Sequence, residues 1–168
     1  MSDPRDHHIS FFQWNCAKRR ITESFLPQTE DTVIFLQEPH LTNGQPFSLS
    51  KRKFYKSPNG RVAIYVPRLR VSSFIDIPEL VKDDMVAGLL QWGDQQVVVA
   101  SLYMHKELPN PVHSQNLESL IRYCNRNNRP LICGTDSNSW HELWFSQGPR
   151  GGQPQWKRGD DLVNFFQH

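Results

Sequence analysis

The sequence predicts an α/β (α+β) chain: two mostly antiparallel β-sheets packed as a sandwich and flanked by helices. Three observations carry that expectation. Seven short runs rich in β-branched and aromatic residues recur along the 168 residues, each bounded by turn residues. Two of the runs are separated only by the neighbourhood of Gly93-Asp94, which is hairpin chemistry. A helix-period segment then carries Leu117, Leu120, Ile121 and Cys124 between strands and not after all of them.

In chain order the predicted strands are 9–14, 32–37, 61–66, 71–76, 85–92, 97–103 and 130–135. Pro58-Asn59-Gly60 places a turn just before Arg61. A short helix is expected over 21–26, ended by Pro27, whose ring cannot continue it. A longer one spans 114–125, with Ser114 as its N-cap and Asn127-Asn128 near its stop. The last covers 160–166 and turns Leu162, Val163, Phe165 and Phe166 inward. With no repeat, low-complexity tract or linker to divide it, the chain is read as one domain over 1–168.

Composition narrows the class. Apolar residues make up 38% and charged residues 21%, and no uninterrupted apolar run approaches the roughly 18 residues of a membrane span, so no membrane partner is expected. The opening residues, MSDPRDHH, lack the apolar core of a secretory signal, which points to an intracellular protein. Cys16, Cys124 and Cys133 are odd in number and outside any C-x-x-C spacing, so neither a disulfide framework nor a zinc site is indicated. Net charge is only +2, yet residues 1–70 hold 11 Lys and Arg against 6 Asp and Glu, while 71–168 hold 8 against 11. The clusters Lys18-Arg19-Arg20 and Lys51-Arg52-Lys53 with Lys56 and Arg61 have the charge to attract phosphate, and each taken singly also fits a solvated loop.

Chemistry gathers at the strand ends. The run at 10–15 closes on Asn15, that at 33–37 leads into Glu38-Pro39, that at 97–103 closes on Tyr103, and LICGTDSNSW delivers Asp136 and Asn138. Taken alone, Asp136, Asn138 and Asn15 fit tight turns, and Tyr103 fits packing with a wet hydroxyl. Glu38 is different, because a carboxylate after four apolar residues needs a cation or hydrogen-bond donors. If these ends converge, Asn15, Glu38, Tyr103, Asp136 and Asn138 form a set of hard oxygen donors suited to Mg²⁺ or Mn²⁺ and not to zinc. A hard ion on one or two carboxylates polarises a phosphoryl group, so phosphodiester hydrolysis is the natural reaction class.

The ordered stretches Gln13-Trp14-Asn15, Leu36-Gln37-Glu38-Pro39, Ser101-Leu102-Tyr103 and Gly134-Thr135-Asp136-Ser137-Asn138-Ser139 resemble the motifs of the endonuclease/exonuclease/phosphatase superfamily. Gln37-Glu38-Pro39-His40, Asn138-Ser139-Trp140-His141 and Arg158-Gly159 before Leu162 and Phe165 are similar to the apurinic-type endonuclease domain of non-LTR retrotransposons. The resemblance implies a two-sheet sandwich with its active site at one rim. It also implies that Glu38 binds the ion, Asn15 orients the metal site, Tyr103 and Asn138 contact the scissile phosphate, and Asp136 aligns or activates the water. Lys18, Arg19, Arg20, Lys106 and His141 are the candidates for nucleic-acid contact. The chain ends before the aspartate and the Ser-Asp-His that close the family's site, so a C-terminally truncated domain lacking the last strands is expected. Exposed sheet edges and self-association follow from that.

The implied function is Mg²⁺-dependent nicking of DNA for target-primed reverse transcription. Its partners would be DNA and a reverse transcriptase on the same polypeptide, with a nuclear location if host DNA is the target. Two alternatives stay open: a catalytically dead remnant that binds nucleic acid, and a superfamily phosphodiesterase acting on a lipid or small phosphate ester. Trp140 and Trp144 fit either base stacking or loop anchoring.

Overall fold

The computed structural model describes residues 8–20, 26–27, 31–47, 52–68, 73–106, 115–144, 146 and 153–167. Ten strands and two helices follow in the order β1 (Ser10–Asn15), β2 (Thr32–Gln37), β3 (Leu41–Thr42), β4 (Gln45–Pro46), β5 (Arg52–Lys56), β6 (Val62–Pro67), β7 (Ser73–Asp76), β8 (Met85–Trp92), β9 (Gln95–Tyr103), α1 (Gln115–Arg126), β10 (Leu131–Asp136) and α2 (Pro154–Gln167). One four-stranded sheet has the order β1-β2-β6-β5, the other β10-β9-β8-β7, and β3 and β4 form a small hairpin.

Both large sheets are mixed. The pairs β1/β2 and β9/β10 are parallel, and the rest of each sheet is antiparallel. This matters for function, because a parallel pair brings two C-terminal strand ends to the same edge. Register sets Asn15 opposite Gln37 in one sheet and Asp136 opposite Tyr103 in the other. Gly93-Asp94 closes the β8/β9 hairpin as expected.

Each sheet is covered on both faces, which explains why β2 and β6 read as unbroken apolar runs with every residue buried. Between the sheets lie Val33, Phe35, Val62 and Ile64 from one and Val86, Leu90, Val97 and Val99 from the other. The outer face of the second sheet packs Ala87, Val98, Ala100 and Leu102 against Leu117, Leu120 and Cys124 of α1 and Leu162 of α2. The outer face of the first sheet gathers Ile34, Leu36, Ala63 and Tyr65 with Cys16 and Leu26. A fully buried side chain of this kind contributes about 1.5–3 kcal/mol, so β2 and β9, which lead to Glu38 and Tyr103, are firmly held by their buried residues.

Two sequence expectations are adjusted and one hairpin is added. Helix α2 begins at Pro154 and not at 160, its first turn opened by proline at a position where the missing N–H costs nothing. The stretch read as a basic cluster around Arg52 and Lys53 is strand β5, with Arg52 buried and donating to the Pro27 carbonyl at 2.9 Å. The hairpin β3/β4 turns at Asn43-Gly44, both at positive φ, and carries no apolar alternation long enough to announce it. The helix expected over 21–26 lies, but for Leu26, outside the described residues, as does Lys51. Among the described residues no helix is long and apolar enough to cross a membrane.

Candidate active site

Beneath the rim the two sheets are tied by a buried polar network. Gln37, with no exposed surface, donates from Nε2 to Ser101 Oγ at 3.0 Å and to the Gly134 carbonyl at 3.1 Å. Its Oε1 accepts from Gln13 Nε2 at 2.7 Å, and Ser101 Oγ donates to the Leu36 carbonyl at 3.0 Å. Every donor of that amide is used, which is the condition for burying it without penalty. A Cβ at Gly134 would overlap the Phe35 side chain, so glycine lets the sheets approach at this point. The network sets the spacing and register of the strand ends one or two residues above it.

Those ends come together as follows. Asp136 accepts from Asn15 Nδ2 at 2.5 Å on Oδ2 and from the Asn138 backbone N–H at 3.1 Å on Oδ1, so both carboxylate oxygens are oriented. Asn15 is fixed in turn by its own Oδ1, which accepts from the Ala17 N–H at 2.8 Å. Asn138 donates from Nδ2 to the Met104 carbonyl at 2.8 Å and hydrogen-bonds Tyr103. Burial pushes the Tyr103 phenol up, the Asn138 hydrogen bond pulls it down, the Glu38 and Asp136 charges raise it and Arg61 lowers it, with a net rise. Tyr103 therefore stays a neutral hydroxyl, able to donate, across the physiological range.

Backbone strain collects at the same place. Ala17, Lys18, Glu38 and Asn138 have φ of 47°, 59°, 48° and 48°, four of the six non-glycine residues at positive φ among those described. Each costs of the order of 1–3 kcal/mol, and such strain clusters where a side chain must be aimed. The Glu38 N–H donates to the Arg61 carbonyl at 2.7 Å and its carbonyl accepts from Lys18 N at 2.8 Å, which pins the turn. Its carboxylate is half-buried, with Lys18 Nζ at 3.9 Å from Oε1.

Behind the rim, α2 braces two of the loops. Arg158, only 4% exposed, donates from Nη2 to the His105 carbonyl at 2.7 Å and from Nη1 to the Lys106 carbonyl at 2.5 Å. Gly159 lies so close to the Trp140 carbonyl that a Cβ there would overlap it, and Trp140 N donates to the Gln155 carbonyl at 2.8 Å. The Arg158-Gly159 pair thus holds the segment after Tyr103 and the segment after Asn138 against one helix. Trp140 packs edge-on to Trp156, with ring centroids 6.3 Å apart, which is loop anchoring.

Of the nucleic-acid candidates, Lys18, Arg19, Arg20 and Lys106 are exposed, Lys18 at the rim itself. His141 is turned toward its own loop and α2, its Nδ1 accepting from Leu143 N at 3.0 Å and its Nε2 3.5 Å from Asp160. Gln37, Arg61, Asp84, Ser101 and Arg158 complete the surroundings; sequence reasoning had named Arg61 only within a basic cluster able to attract phosphate and had given the other four no role of their own at the site. The available signal was an amide or hydroxyl inside an apolar run, as in Leu36-Gln37 and Ala100-Ser101.

Among the described residues no three His, Cys, Asp or Glu side chains gather as a ready-made metal cage. Glu38 is the carboxylate that could hold a hard divalent ion, whose remaining positions waters and substrate oxygens would have to fill, as is common for Mg²⁺.

Searched for relatives, the chain matches no protein-family model and no curated protein sequence. Its structure is similar to solved ones. It superposes on the endonuclease domain of TRAS1, a telomere-specific non-LTR retrotransposon, with a TM-score of 0.66, 19% identity, and coverage of 95% of this chain and 70% of that one. The fold is that of a retrotransposon endonuclease domain. Its two mixed sheets and rim-facing strand ends are the two-sheet architecture that the motifs implied.

Proposed function

We propose that the rim is a phosphodiesterase centre and that the chain is a DNA endonuclease module, nicking DNA to prime reverse transcription. The observation that carries this reading is the hydrogen-bonded assembly of Asn15, Asp136, Asn138 and Tyr103 beside the Glu38 carboxylate, at one edge of a fold shared with a retrotransposon endonuclease domain.

Asp136 orients the attacking water and takes its proton, its own position set by Asn15 and the Asn138 N–H. Tyr103 donates from its neutral hydroxyl to a phosphoryl oxygen as charge develops, and Asn138 holds that hydroxyl in place. Glu38 is the residue to hold Mg²⁺ or Mn²⁺. When bound, the ion supplies Lewis-acid stabilisation of the phosphoryl and leaving oxygens. DNA is the proposed partner, with a reverse transcriptase joined to the same polypeptide. A second reading, nucleic-acid binding without cleavage, is favoured by the Lys18 ammonium 3.9 Å from Glu38, which gives that carboxylate a cation of its own.

Supercoiled plasmid separates the two. Nicking with Mg²⁺ that stops with EDTA, with Glu38→Ala and with Asp136→Ala supports the nuclease. Binding without nicking by the folded wild-type chain leaves only the second reading.

A further inference from the structure

Beside Glu38 a cavity of about 390 Å³ opens at the rim, its wall including Lys18, Glu38, His40, Asn59 and Arg61. Asp136, Asn138 and Tyr103 do not line it. Of the candidate catalytic residues only Glu38 lines it, so the cavity adjoins the Asp136 and Tyr103 end of the site without including it. Two cations, Lys18 and Arg61, line it together with one carboxylate, and the volume falls within the range of small-ligand sites.

Arg61 is held with more care than a surface arginine needs. Its backbone carbonyl takes the Glu38 N–H at 2.7 Å, and its own N–H donates to Asn59 Oδ1 at 2.9 Å. Its guanidinium carbon sits 5.4 Å from the centroid of the Tyr103 ring. Nη1 donates to Asp84 Oδ1 at 2.9 Å and meets His105 Nε2 at 2.5 Å, while that same nitrogen lies 2.9 Å from Asp84 Oδ2. Asp84 is anchored in turn by its backbone carbonyl, which accepts from Tyr103 N at 2.9 Å. All these side-chain contacts use Nη1. A guanidinium has five N–H donors, so the Nε and Nη2 edge is not consumed by them, and that edge matches the oxygens of a phosphate. Arg61 also keeps 30% of its side chain exposed.

We propose that this cavity is a phosphate subsite for the nucleic-acid backbone, taking the phosphodiester adjacent to the one cut. Arg61 is its clamp, Lys18 its second cation, and Asp84 with His105 are positioning residues that fix the guanidinium between Glu38 and Tyr103. The proposal rests on nucleic acid being the substrate, and extends that reading by naming where the flanking backbone is held. A bidentate guanidinium here would fix the register of the strand over Asp136, which a solvated lysine cannot do.

The test is binding, not cleavage, so that it stands apart from catalysis. The full chain is titrated into a fluorescein-labelled DNA duplex in EDTA, and anisotropy is followed across a series of salt concentrations. Arg61→Gln is expected to weaken binding about tenfold and to lower the salt slope by about one, the signature of a lost phosphate contact. Lys18→Gln, at an exposed position that leaves folding alone, lowers the slope by a similar amount with a smaller loss of affinity. Arg61→Lys restores the slope but not the full affinity, since the charge returns without the fork. Wild-type binding with unchanged affinity and slope in both Gln variants overturns the subsite while leaving the nuclease reading intact. No binding by wild type at any salt overturns the subsite and the nucleic-acid reading together.

Discussion

The buried floor and the open rim of this molecule are built from the same four strands, yet they obey opposite rules. In the floor, Gln37 and Ser101 have no exposed surface and every donor of the Gln37 amide is spent on a partner across the sheets. One or two residues further along each strand, Glu38, Tyr103 and Asp136 are half-exposed, and four residues at the rim adopt positive φ. The floor satisfies its polar groups and contributes stability. The rim keeps carboxylates and a neutral phenol oriented at a cost in backbone strain, as expected where side chains are held for chemistry. Substitutions should therefore separate: floor changes move the melt, rim changes move the rate.

The largest separation is expected at the rim carboxylates. Asp136→Ala should lower nicking by about 10²–10⁴-fold, the range for loss of a general base, while thermal melting shifts little. A melt that collapses alongside activity would mean that Asp136 belongs to the scaffold.

Next comes the floor. Gln37→Leu leaves the Ser101 hydroxyl and the Gly134 carbonyl without their buried partner and should cost about 2–4 kcal/mol in urea unfolding. An unchanged midpoint would show that the network is not what ties the sheets.

Helix α2 offers an intermediate case, because it touches neither the floor nor the reacting groups. Arg158→Met removes the donors to the His105 and Lys106 carbonyls and should cost about 2–3 kcal/mol through unpaired backbone acceptors. Since those carbonyls follow Tyr103, the surviving folded protein should also lose nicking rate. Loss of stability with full specific activity in the folded fraction would reduce the brace to packing alone.

The smallest effect is assigned to Tyr103→Phe, about tenfold in rate. Its pH behaviour sharpens the point. The Tyr103 phenol is raised, so its contribution to stability is present below the unfolded value of 10.0 and is lost as pH climbs through the folded value. Ultraviolet titration of wild type against the phenylalanine variant should show one tyrosine ionising late, and an early-ionising Tyr103 would contradict the hydroxyl donor assigned to it.

Much of this was legible in the sequence, for reasons that differ by residue. Strand β2 and strand β8 fall where their apolar runs predict, because burial on both faces leaves no room for polar interruption. Asn15, Glu38, Tyr103, Asp136 and Asn138 were visible as polar residues closing apolar runs, and the parallel pairs explain why such ends meet. Arg52 was hidden, since a run of Lys and Arg looks solvated until tertiary packing buries one of them. The first turns of α2 were hidden for a related reason. Trp156, Arg158 and Gly159 lack apolar periodicity and are buried by contact with the Trp140 loop and the segment after Tyr103, both far away in sequence. Arg61 was visible only as one charge in a basic cluster, and its pairing with Asp84 and His105 was hidden, because three separate loops supply the three residues.

The central claim is that the two sheets contribute to one site, Glu38 from the first and Asp136 from the second, and a double-mutant cycle tests it most directly. Nicking rates are measured for wild type, Glu38→Ala, Asp136→Ala and the double variant, each checked for an intact melt. Residues acting as one unit predict a double variant scarcely slower than either single one. Single variants that nick at the wild-type rate, or losses that simply multiply, would contradict a shared centre.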